Sequence, residues 1–223
     1  MEAPGNEPFE ARADAPALGD LEIHVWLLGA HAAATPRAIA TEARVALGNL
    51  LRAYANTPHV PVIERNPHGK PFAPGLPQLH FNASHAGAHI LLAFARGQEL
   101  GIDIEQRTRP VSVDDIAQRF FTPREAQALH SVAPAQKAVA FLRLWTHKEA
   151  VLKALGLGLG FGLEHVEFAL DAHGGIAGLA QIAATAGDRA DWRVHPLHPT
   201  PDLIGALAWR GPPRSVRTFR LLQ

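Results

Sequence analysis

The sequence predicts an α+β fold made of two similar α/β halves, the arrangement that a pseudo-twofold duplication produces. Each half carries one long helical pattern, at residues 35–54 and 135–155. Runs rich in apolar and β-branched residues, which favour strands, accompany both helical patterns. With 47% hydrophobic residues among 223, the chain has enough apolar side chains for a substantial core. No residue-level repeat accompanies the two halves.

The predicted domain organisation divides the chain into three parts. Residues 1–20 carry five acidic residues among Ala, Pro and Gly, which predicts a flexible leader. Residues 21–98 are expected to form an N-terminal α+β half and residues 99–223 a C-terminal α+β half. The active site is expected in the cleft between these halves.

Composition and charge exclude several classes of function. The 21 Lys and Arg residues balance the 21 Asp and Glu residues, so no overall field attracts the chain to nucleic acid. The chain has no cysteine, which excludes disulfide bonds and thiol catalysis, and no apolar run is long enough to span a membrane. Its 13 histidines show no spacing typical of a zinc site. Since no signal peptide is recognisable either, the sequence predicts a cytoplasmic protein.

The N-terminal half begins with a strand and a helix. Residues 21–28 (LEIHVWLL) have the apolar and β-branched content of a strand. Thr35 followed by Pro36 is typical of a helix start, with threonine as the cap and proline at the first helical position. Arg37 and Arg44 lie on a common flank of this helix, which is either a solvated basic edge or an anion-binding surface.

Turns and short strands follow the first helix. The predicted elements are turns at 56–77, a strand at 79–82, a turn at 84–87, and strands at 89–95 and 99–105. The short connection between the last two strands predicts that they form a hairpin. Such a hairpin would bring His85 and Asp103 into one sheet neighbourhood.

The C-terminal half is helical first and then returns to strands. Thr122 and Glu125 have the spacing of a capping box at a helix start. The long helix is predicted from about residue 135 to 155, and Gly156 is expected to end it. The strands that follow are predicted at 166–170, 176–182, 192–195, 203–209 and 216–221.

Two carboxylates stand in the motif GIDIE, at residues 101–105. If this motif is a strand, Asp103 and Glu105 point to one side, while Ile102 and Ile104 point into the core. Two neighbouring anions repel each other, and an ion such as Mg²⁺ bound to both would relieve that repulsion. The alternative is a half-buried strand with a solvated acidic face, which the motif alone favours.

A third carboxylate lies on the long helix. One face of this helix is formed by Ala138, Phe141, Trp145, Glu149 and Leu152. An unpaired, ionised Glu149 would be costly within this apolar stripe. It is therefore either paired with Lys153 at a rim, or a metal ligand or general base beside Asp103 and Glu105. In the second case Lys148 and Lys153 would neutralise a polyphosphate, and the set of residues suits phosphoryl transfer.

Four motifs occur in register between residues 69 and 156. They are GKPF (69–72), FNASHAG (81–87), GIDIE (101–105) and WTHKEAVLKALG (145–156). Together they resemble the 4′-phosphopantetheinyl transferases of the monomeric, two-half type that activates surfactin synthetase. The resemblance spans roughly residues 20–210 and implies the fold of that family. One departure is Ala86, where the family often has a serine.

The resemblance implies a transferase that uses coenzyme A as co-substrate. Such an enzyme moves the 4′-phosphopantetheine arm of coenzyme A onto a serine of an apo acyl or peptidyl carrier protein and releases adenosine 3′,5′-bisphosphate. The resemblance also implies Mg²⁺ as cofactor, with Mn²⁺ as a substitute. The expected partners are therefore coenzyme A and a carrier protein, without nucleic acid or membrane, and the chain is expected to be a monomer.

The resemblance assigns roles to individual residues. The implied metal ligands are Asp103, Glu105 and Glu149. Glu149 is also the implied base for the carrier serine, and Lys153 lies beside the transferring phosphate, so that Asp103, Glu149 and Lys153 form the catalytic group. The implied coenzyme A contacts are Arg44, Lys70, Ser84, His85, Lys148 and Lys153.

Two other classes of function stay open at this point. One is a non-catalytic module of the same fold that binds coenzyme A or a carrier protein. The presence of all three carboxylates and of Lys153 disfavours it, because a binding module has little need of a buried third carboxylate. The other is a metal-dependent hydrolase of nucleotide pyrophosphates, which would need no protein partner.

Overall fold

The computed structural model describes residues 9–29 and 35–222. In chain order the strands and helices are β1 (Glu10–Arg12), β2 (Glu22–Gly29), α1 (Pro36–Ala55), β3 (Glu64–Arg65), β4 (Pro71–Phe72), β5 (Leu79–Ala86), β6 (His89–Arg96), β7 (Leu100–Gln106), α2 (Val113–Phe120), α3 (Pro123–Ser131), α4 (Pro134–Leu155), β8 (Val166–Leu170), β9 (Ile176–Ile182), β10 (Trp192–Leu197), β11 (Leu203–Arg210) and β12 (Ser215–Leu221). Helices and sheets occur together in both parts of the chain, so the predicted α+β class is confirmed.

Local signals delimit the first structural unit, which comprises β2, α1, β5 and β6. Thr35 caps α1 by accepting a hydrogen bond from the Ala38 N–H at 3.2 Å, and Asn56 ends the helix in the left-handed conformation (φ 49°). Gly87, with φ of 56°, allows the tight turn between β5 and β6. The three strands pair antiparallel in the order β2–β6–β5.

The second unit repeats this connectivity with β7, α4, β10 and β11. Again a strand precedes a long helix and two later strands, with α2, α3, β8 and β9 inserted along the chain. The three strands pair antiparallel in the order β7–β11–β10. β7, β11 and β10 thus occupy the positions that β2, β6 and β5 occupy in the first unit. The predicted similarity of the two halves is therefore confirmed in their chain connectivity and strand order.

The two ends of the described chain join the first sheet. β12 lies between β1 and β2 and runs parallel to both. Within the predicted leader, the structure places Glu10–Arg12 in a strand, whereas residues 1–8 lie outside the described residues.

Three groups of buried apolar side chains hold the layers together. One lies between α1 and the first sheet and includes Leu51 and Phe94. A second surrounds α4 and includes Phe141. The third joins strands of the first sheet to β7 and β11, and it contains Ile102 and Ile104, as the alternation in the sequence predicts.

The predicted hairpin between the strands now labelled β6 and β7 is wrong. β6 pairs with β2 and β5, whereas β7 pairs with β11 in the other sheet. Both strands are apolar on the face they share, so packing the two sheets face to face buries these side chains as well as edge pairing would. The predicted turn at 84–87 is also displaced, because Ser84 and His85 belong to β5 and the turn lies at Gly87.

Candidate active site

One face of β7 lies directly against α4, and the sequence of β7 explains this close approach. A Cβ at Gly101 would lie 2.1 Å from the Ala150 carbonyl oxygen and 2.2 Å from the Ala154 nitrogen. The strand and the helix can therefore approach this closely only because residue 101 is glycine. Since side chains alternate along a strand, Asp103 and Glu105 lie on the same side of β7.

Asp103 of the second unit forms hydrogen bonds both to the first unit and to α4. Its Oδ1 accepts hydrogen bonds from Ser84 Oγ of β5 at 2.8 Å and from Lys153 Nζ of α4 at 2.7 Å. Lys153 Nζ also donates to Ser84 Oγ at 3.0 Å. The other carboxylate oxygen, Oδ2, is buried and has no hydrogen-bond partner within the described residues. Asp103 thus combines a neutralised oxygen with one that can still accept a ligand.

Glu149 precedes Lys153 by one turn of α4. Burial, followed by the charges of Asp103 and Glu105, raises the pKa of Glu149 to about 7, while Lys153 and Arg109 oppose the rise. These charge effects show that the three carboxylates share one electrostatic environment. A carboxyl group with a pKa near neutrality can accept and return a proton at physiological pH.

The predicted surroundings of Glu149 are corrected in two respects. Phe141 and Leu152 are buried, but Ala138 at the start of the expected apolar stripe is exposed. Helical spacing predicts which residues share a face and does not predict how far burial extends along it. In addition, Lys153 forms its ion pair with Asp103 of β7 instead of the intrahelical pair with Glu149.

Glu105 is held by Arg109, a residue that sequence reasoning missed. Arg109 Nη1 contacts Glu105 Oε1, and its guanidinium lies 5.6 Å from the centroid of the Trp145 ring. Burial raises the pKa of Glu105, with Arg109 acting against this rise and Asp103 adding to it. Opposite charges four residues apart were the available signal, but outside a helix this spacing predicts no contact.

The three carboxylates fit a divalent cation by their chemistry. Carboxylate oxygens are ligands that Mg²⁺ prefers. A cation would satisfy the unpartnered Oδ2 of Asp103 and offset the charges of Asp103 and Glu105, which add to burial in raising the pKa of Glu149. In the part of the chain that the structure describes, no three His, Asp or Glu side chains are already arranged as a metal site. Magnesium binding therefore stays a prediction.

Lys148 does not line this site, which corrects its predicted contact with a phosphate. Its side chain is completely buried, and its Nζ forms an ion pair with Glu125 at 2.6 Å. Nζ also donates to the carbonyl oxygens of Leu163, at 2.9 Å, and Val166. These partners use all three donors of the ammonium group. Successive helix residues point about 100° apart, so Lys148 and Glu149 face different surroundings.

The remaining predicted coenzyme A contacts lie on the first unit. Ser84 reaches Asp103, as described above. His85 follows it on β5 with its side chain exposed, and Arg44 is exposed on α1. Both side chains are thus accessible to an anion from solvent.

Lys70 belongs to a loop that is tied to the end of α4. Its Nζ contacts Glu99 and donates to the Ala154 carbonyl oxygen at 3.0 Å. Asn66 of the same loop donates from Nδ2 to the Gly156 carbonyl oxygen at 2.9 Å. A cavity of about 250 Å³ opens beside Lys70, lined in part by Pro71, Phe72, Leu76, Phe81 and Glu99. The loop therefore connects the first unit to the helix that carries Glu149.

Burial of His147 on α4 is expected to make the free energy of unfolding dependent on pH. Its Nδ1 lies 2.7 Å from the Arg143 carbonyl oxygen, and its ring lies edge-on to Phe168. Burial lowers the pKa of His147 to about 4. The unfolded chain binds a proton there below about pH 6.5, whereas the folded protein binds it only near pH 4. The free energy of unfolding should therefore fall by about 3 kcal/mol as the pH decreases from 6.5 to 4.

Urea denaturation of the wild type and of His147→Gln at pH 7.5 and at pH 4.5 measures this contribution. The glutamine variant should lose less stability on acidification than the wild type. His59→Gln, at an exposed position, serves as the control and should follow the wild type. An equal loss in wild type and His147→Gln would contradict the prediction.

Comparison with known proteins identifies relatives of this chain. Residues 99–208 match the model of the 4′-phosphopantetheinyl transferase superfamily. The chain is 42% identical over 97 residues to a 4′-phosphopantetheinyl transferase of Bacillus subtilis. The aligned residues cover 44% of this chain and 42% of that protein. It is 38% identical over 110 residues to 4′-phosphopantetheinyl transferase Sfp of Bacillus subtilis (strain 168), covering 49% of this chain and 48% of the relative.

A third relative comes from Nostoc. The chain is 42% identical over 92 residues to 4′-phosphopantetheinyl transferase HetI of Nostoc sp. (strain PCC 7120), covering 41% of this chain and 38% of the relative. The chain thus spans about half the length, or less, of the curated relatives it matches. The resemblance that the four motifs indicate is confirmed by these matches.

Within the described residues, no helix has the length and apolar character needed to cross a membrane.

Proposed function

We propose that this chain, which shares the pattern of the 4′-phosphopantetheinyl transferase superfamily over residues 99–208, transfers the 4′-phosphopantetheine arm of coenzyme A. The acceptor is a serine of an apo acyl or peptidyl carrier protein, and adenosine 3′,5′-bisphosphate is released. We also propose that the protein is a monomer and acts in the cytoplasm. The proposal also includes the division into residues 21–98 and 99–223, with the site in the cleft between these halves.

The observation that carries this proposal is the set of partners around Asp103. One carboxylate oxygen is bound by Lys153 and Ser84, and the other is buried without a partner in the described structure. Glu149, whose pKa is raised to about 7, completes the site. A cation, a base and an oxygen free for a metal are what a phosphoryl transfer needs for positioning and charge neutralisation.

The proposed reaction replaces one phosphorus–oxygen bond by another. The carrier serine oxygen bonds to the phosphorus on the pantetheine side of the pyrophosphate, and the bond from that phosphorus to the bridging oxygen breaks. Glu149 accepts the serine proton, and the released adenosine 3′,5′-bisphosphate takes the bridging oxygen. Lys153 lies beside the transferring phosphate and offsets its charge.

Asp103, Glu105 and Glu149 would hold the magnesium ion, for which manganese is a substitute. When bound, the ion neutralises negative charge on the pyrophosphate oxygens and on the leaving group. Arg109 orients Glu105 through their ion pair. On the first unit, Ser84, His85, Arg44 and Lys70 are proposed to bind the nucleotide end of coenzyme A. For Lys70 this requires its ammonium group to exchange its contacts with Glu99 and the Ala154 carbonyl oxygen for coenzyme A.

Intact-protein mass spectrometry of an apo carrier protein tests the proposal. After incubation with this protein, coenzyme A and Mg²⁺, the carrier should gain the mass of one phosphopantetheine group. EDTA should abolish the gain, and added Mg²⁺ in excess should restore it. A carrier in which the acceptor serine is replaced by alanine provides the control.

The other outcomes separate the alternative functions. Release of adenosine 3′,5′-bisphosphate from coenzyme A in the absence of any carrier would indicate a hydrolase. Tight binding of coenzyme A without a mass gain on several carriers would indicate a binding module. Either result would overturn the proposed transferase activity.

A further inference from the structure

A buried ion pair lies on the side of α4 that faces away from β7. Lys148 Nζ is 2.6 Å from Glu125 Oε2, and both side chains are 0% exposed. The ammonium group also donates to the Leu163 and Val166 carbonyl oxygens. A buried charge is tolerated only when its partners are complete, and here they are.

The carboxylate of the pair is equally well satisfied. Glu125 Oε2 accepts from the Thr122 N–H at 2.9 Å, which closes the capping box of α3. Glu125 Oε1 accepts from the Phe168 N–H of β8 at 2.8 Å. The pair therefore joins α3, α4, β8 and the segment before β8 through one set of hydrogen bonds. None of these partners can shift without leaving a buried charge or amide unsatisfied.

The opposite side of α4 is fixed by its contact with β7 at Gly101. The helix is therefore held on two sides, by the Lys148–Glu125 pair and by the contact at Gly101. Glu149 and Lys153 lie on the helix surface between these two contacts and face Asp103. A carboxylate about 6 Å from the helix axis moves by about 1 Å when the helix rotates by about 10°. Such a displacement of a reacting group can reduce a rate by about 100-fold.

We propose that Lys148 and Glu125 are positioning residues that fix the rotation of α4 and so hold Glu149 at the magnesium and carrier-serine site. This inference rests on the proposed transferase function. Lys148 contacts neither substrate nor metal in this role, and it acts through the orientation of the residue that follows it. Loss of the ion pair should therefore lower turnover and metal affinity and leave coenzyme A binding unchanged.

The double variant Lys148→Met/Glu125→Gln tests this role without leaving a buried charge. We expect it to fold cooperatively and to bind coenzyme A within about 3-fold of the wild type in the absence of metal. Its kcat should fall by at least about 10-fold, with a smaller change in KM for the carrier. Its affinity for Mn²⁺, measured by electron paramagnetic resonance, should fall as well.

A matched control is available on the same helix. Lys137 Nζ lies 3.4 Å from Asp114 Oδ1 and joins α4 to α2, but this pair is partly exposed. The variant Lys137→Met/Asp114→Asn should retain the kcat and the Mn²⁺ affinity of the wild type. If the buried double variant does not fold, Lys148→Gln/Glu125→Gln replaces it, because a glutamine at position 148 can still donate to a carbonyl oxygen and neither side chain carries a buried charge.

Three results would overturn the inference. A folded variant with wild-type kcat and Mn²⁺ affinity would show that the pair has no influence on Glu149. A variant with a large loss of coenzyme A affinity and unchanged kcat would make Lys148 a phosphate ligand after all. If the wild type transfers nothing, the proposed function fails, and unchanged Mn²⁺ binding in the variant would then overturn the positioning role independently.

Discussion

Asp103→Asn should reduce the rate of phosphopantetheine transfer by more than about 100-fold and leave the fold intact. Loss of residues that only support metal ligands already costs about 10- to 100-fold, so loss of a central ligand charge should cost more. Asparagine keeps an oxygen that can accept from Ser84 Oγ and Lys153 Nζ at the position of Oδ1. Lys153 is 28% exposed, so water can compensate its lost ion pair and the folded state is retained.

The measurement is the transfer rate at saturating coenzyme A and carrier over a range of Mg²⁺ concentrations. The variant should need far more Mg²⁺ than the wild type, and thermal unfolding should confirm that it is folded. Asp115→Asn, on the exposed face of α2, controls for the loss of one negative charge. Wild-type turnover in folded Asp103→Asn would remove Asp103 from the proposed machinery.

Alternation along a strand was sufficient to predict one side of the site. Asp103 and Glu105 share a face of β7, and Ile102 and Ile104 lie in the core as the pattern indicates. This succeeded because the period of a strand fixes the relative directions of its side chains, whatever lies around it. Helical spacing likewise placed Glu149 and Lys153 near one another on α4.

The partners of these side chains could not be predicted in the same way. Lys148 and Lys153 are both lysines of one motif, yet one pairs with buried Glu125 and the other with Asp103. Which helix face meets which neighbour is decided by tertiary packing, and a single sequence contains no direct signal of it. Arg109 was missed for the same reason, because its contact with Glu105 lies in a turn of irregular backbone.

The change of sheet between β6 and β7 also depends on long-range packing. A short connection between two apolar runs favours a hairpin locally, but β7 has a better partner in β11, a hundred residues further on. The same strand order in both units explains this choice, since β7 opens the second unit as β2 opens the first. Ser84 of β5 nevertheless bonds to Asp103 across the interface between the sheets, whereas His85 points to the other face of β5 and is exposed.

Gly101 of the GIDIE motif offers the strongest test of how β7 and α4 assemble the site. Gly101→Ala should reduce the free energy of unfolding by about 3 kcal/mol. The added Cβ would lie 2.1 Å from the Ala150 carbonyl oxygen, 2.2 Å from the Ala154 nitrogen and 2.7 Å from the Lys153 carbonyl carbon. All three are backbone atoms, so no side-chain rotation relieves the overlap, and α4 must move away from β7.

That movement separates Glu149 and Lys153 from Asp103, so transfer activity should be lost even in the fraction that still folds. Urea denaturation of Gly101→Ala gives the change in stability, and the transfer rate at low temperature gives the effect on the site. Gly75→Ala is the matched control, because a Cβ there meets no heavy atom within 4 Å. A Gly101→Ala protein with wild-type stability and turnover would mean that β7 and α4 do not touch at this residue. Both the close approach and the two-sided support of α4 would then be wrong, since they depend on the same contact.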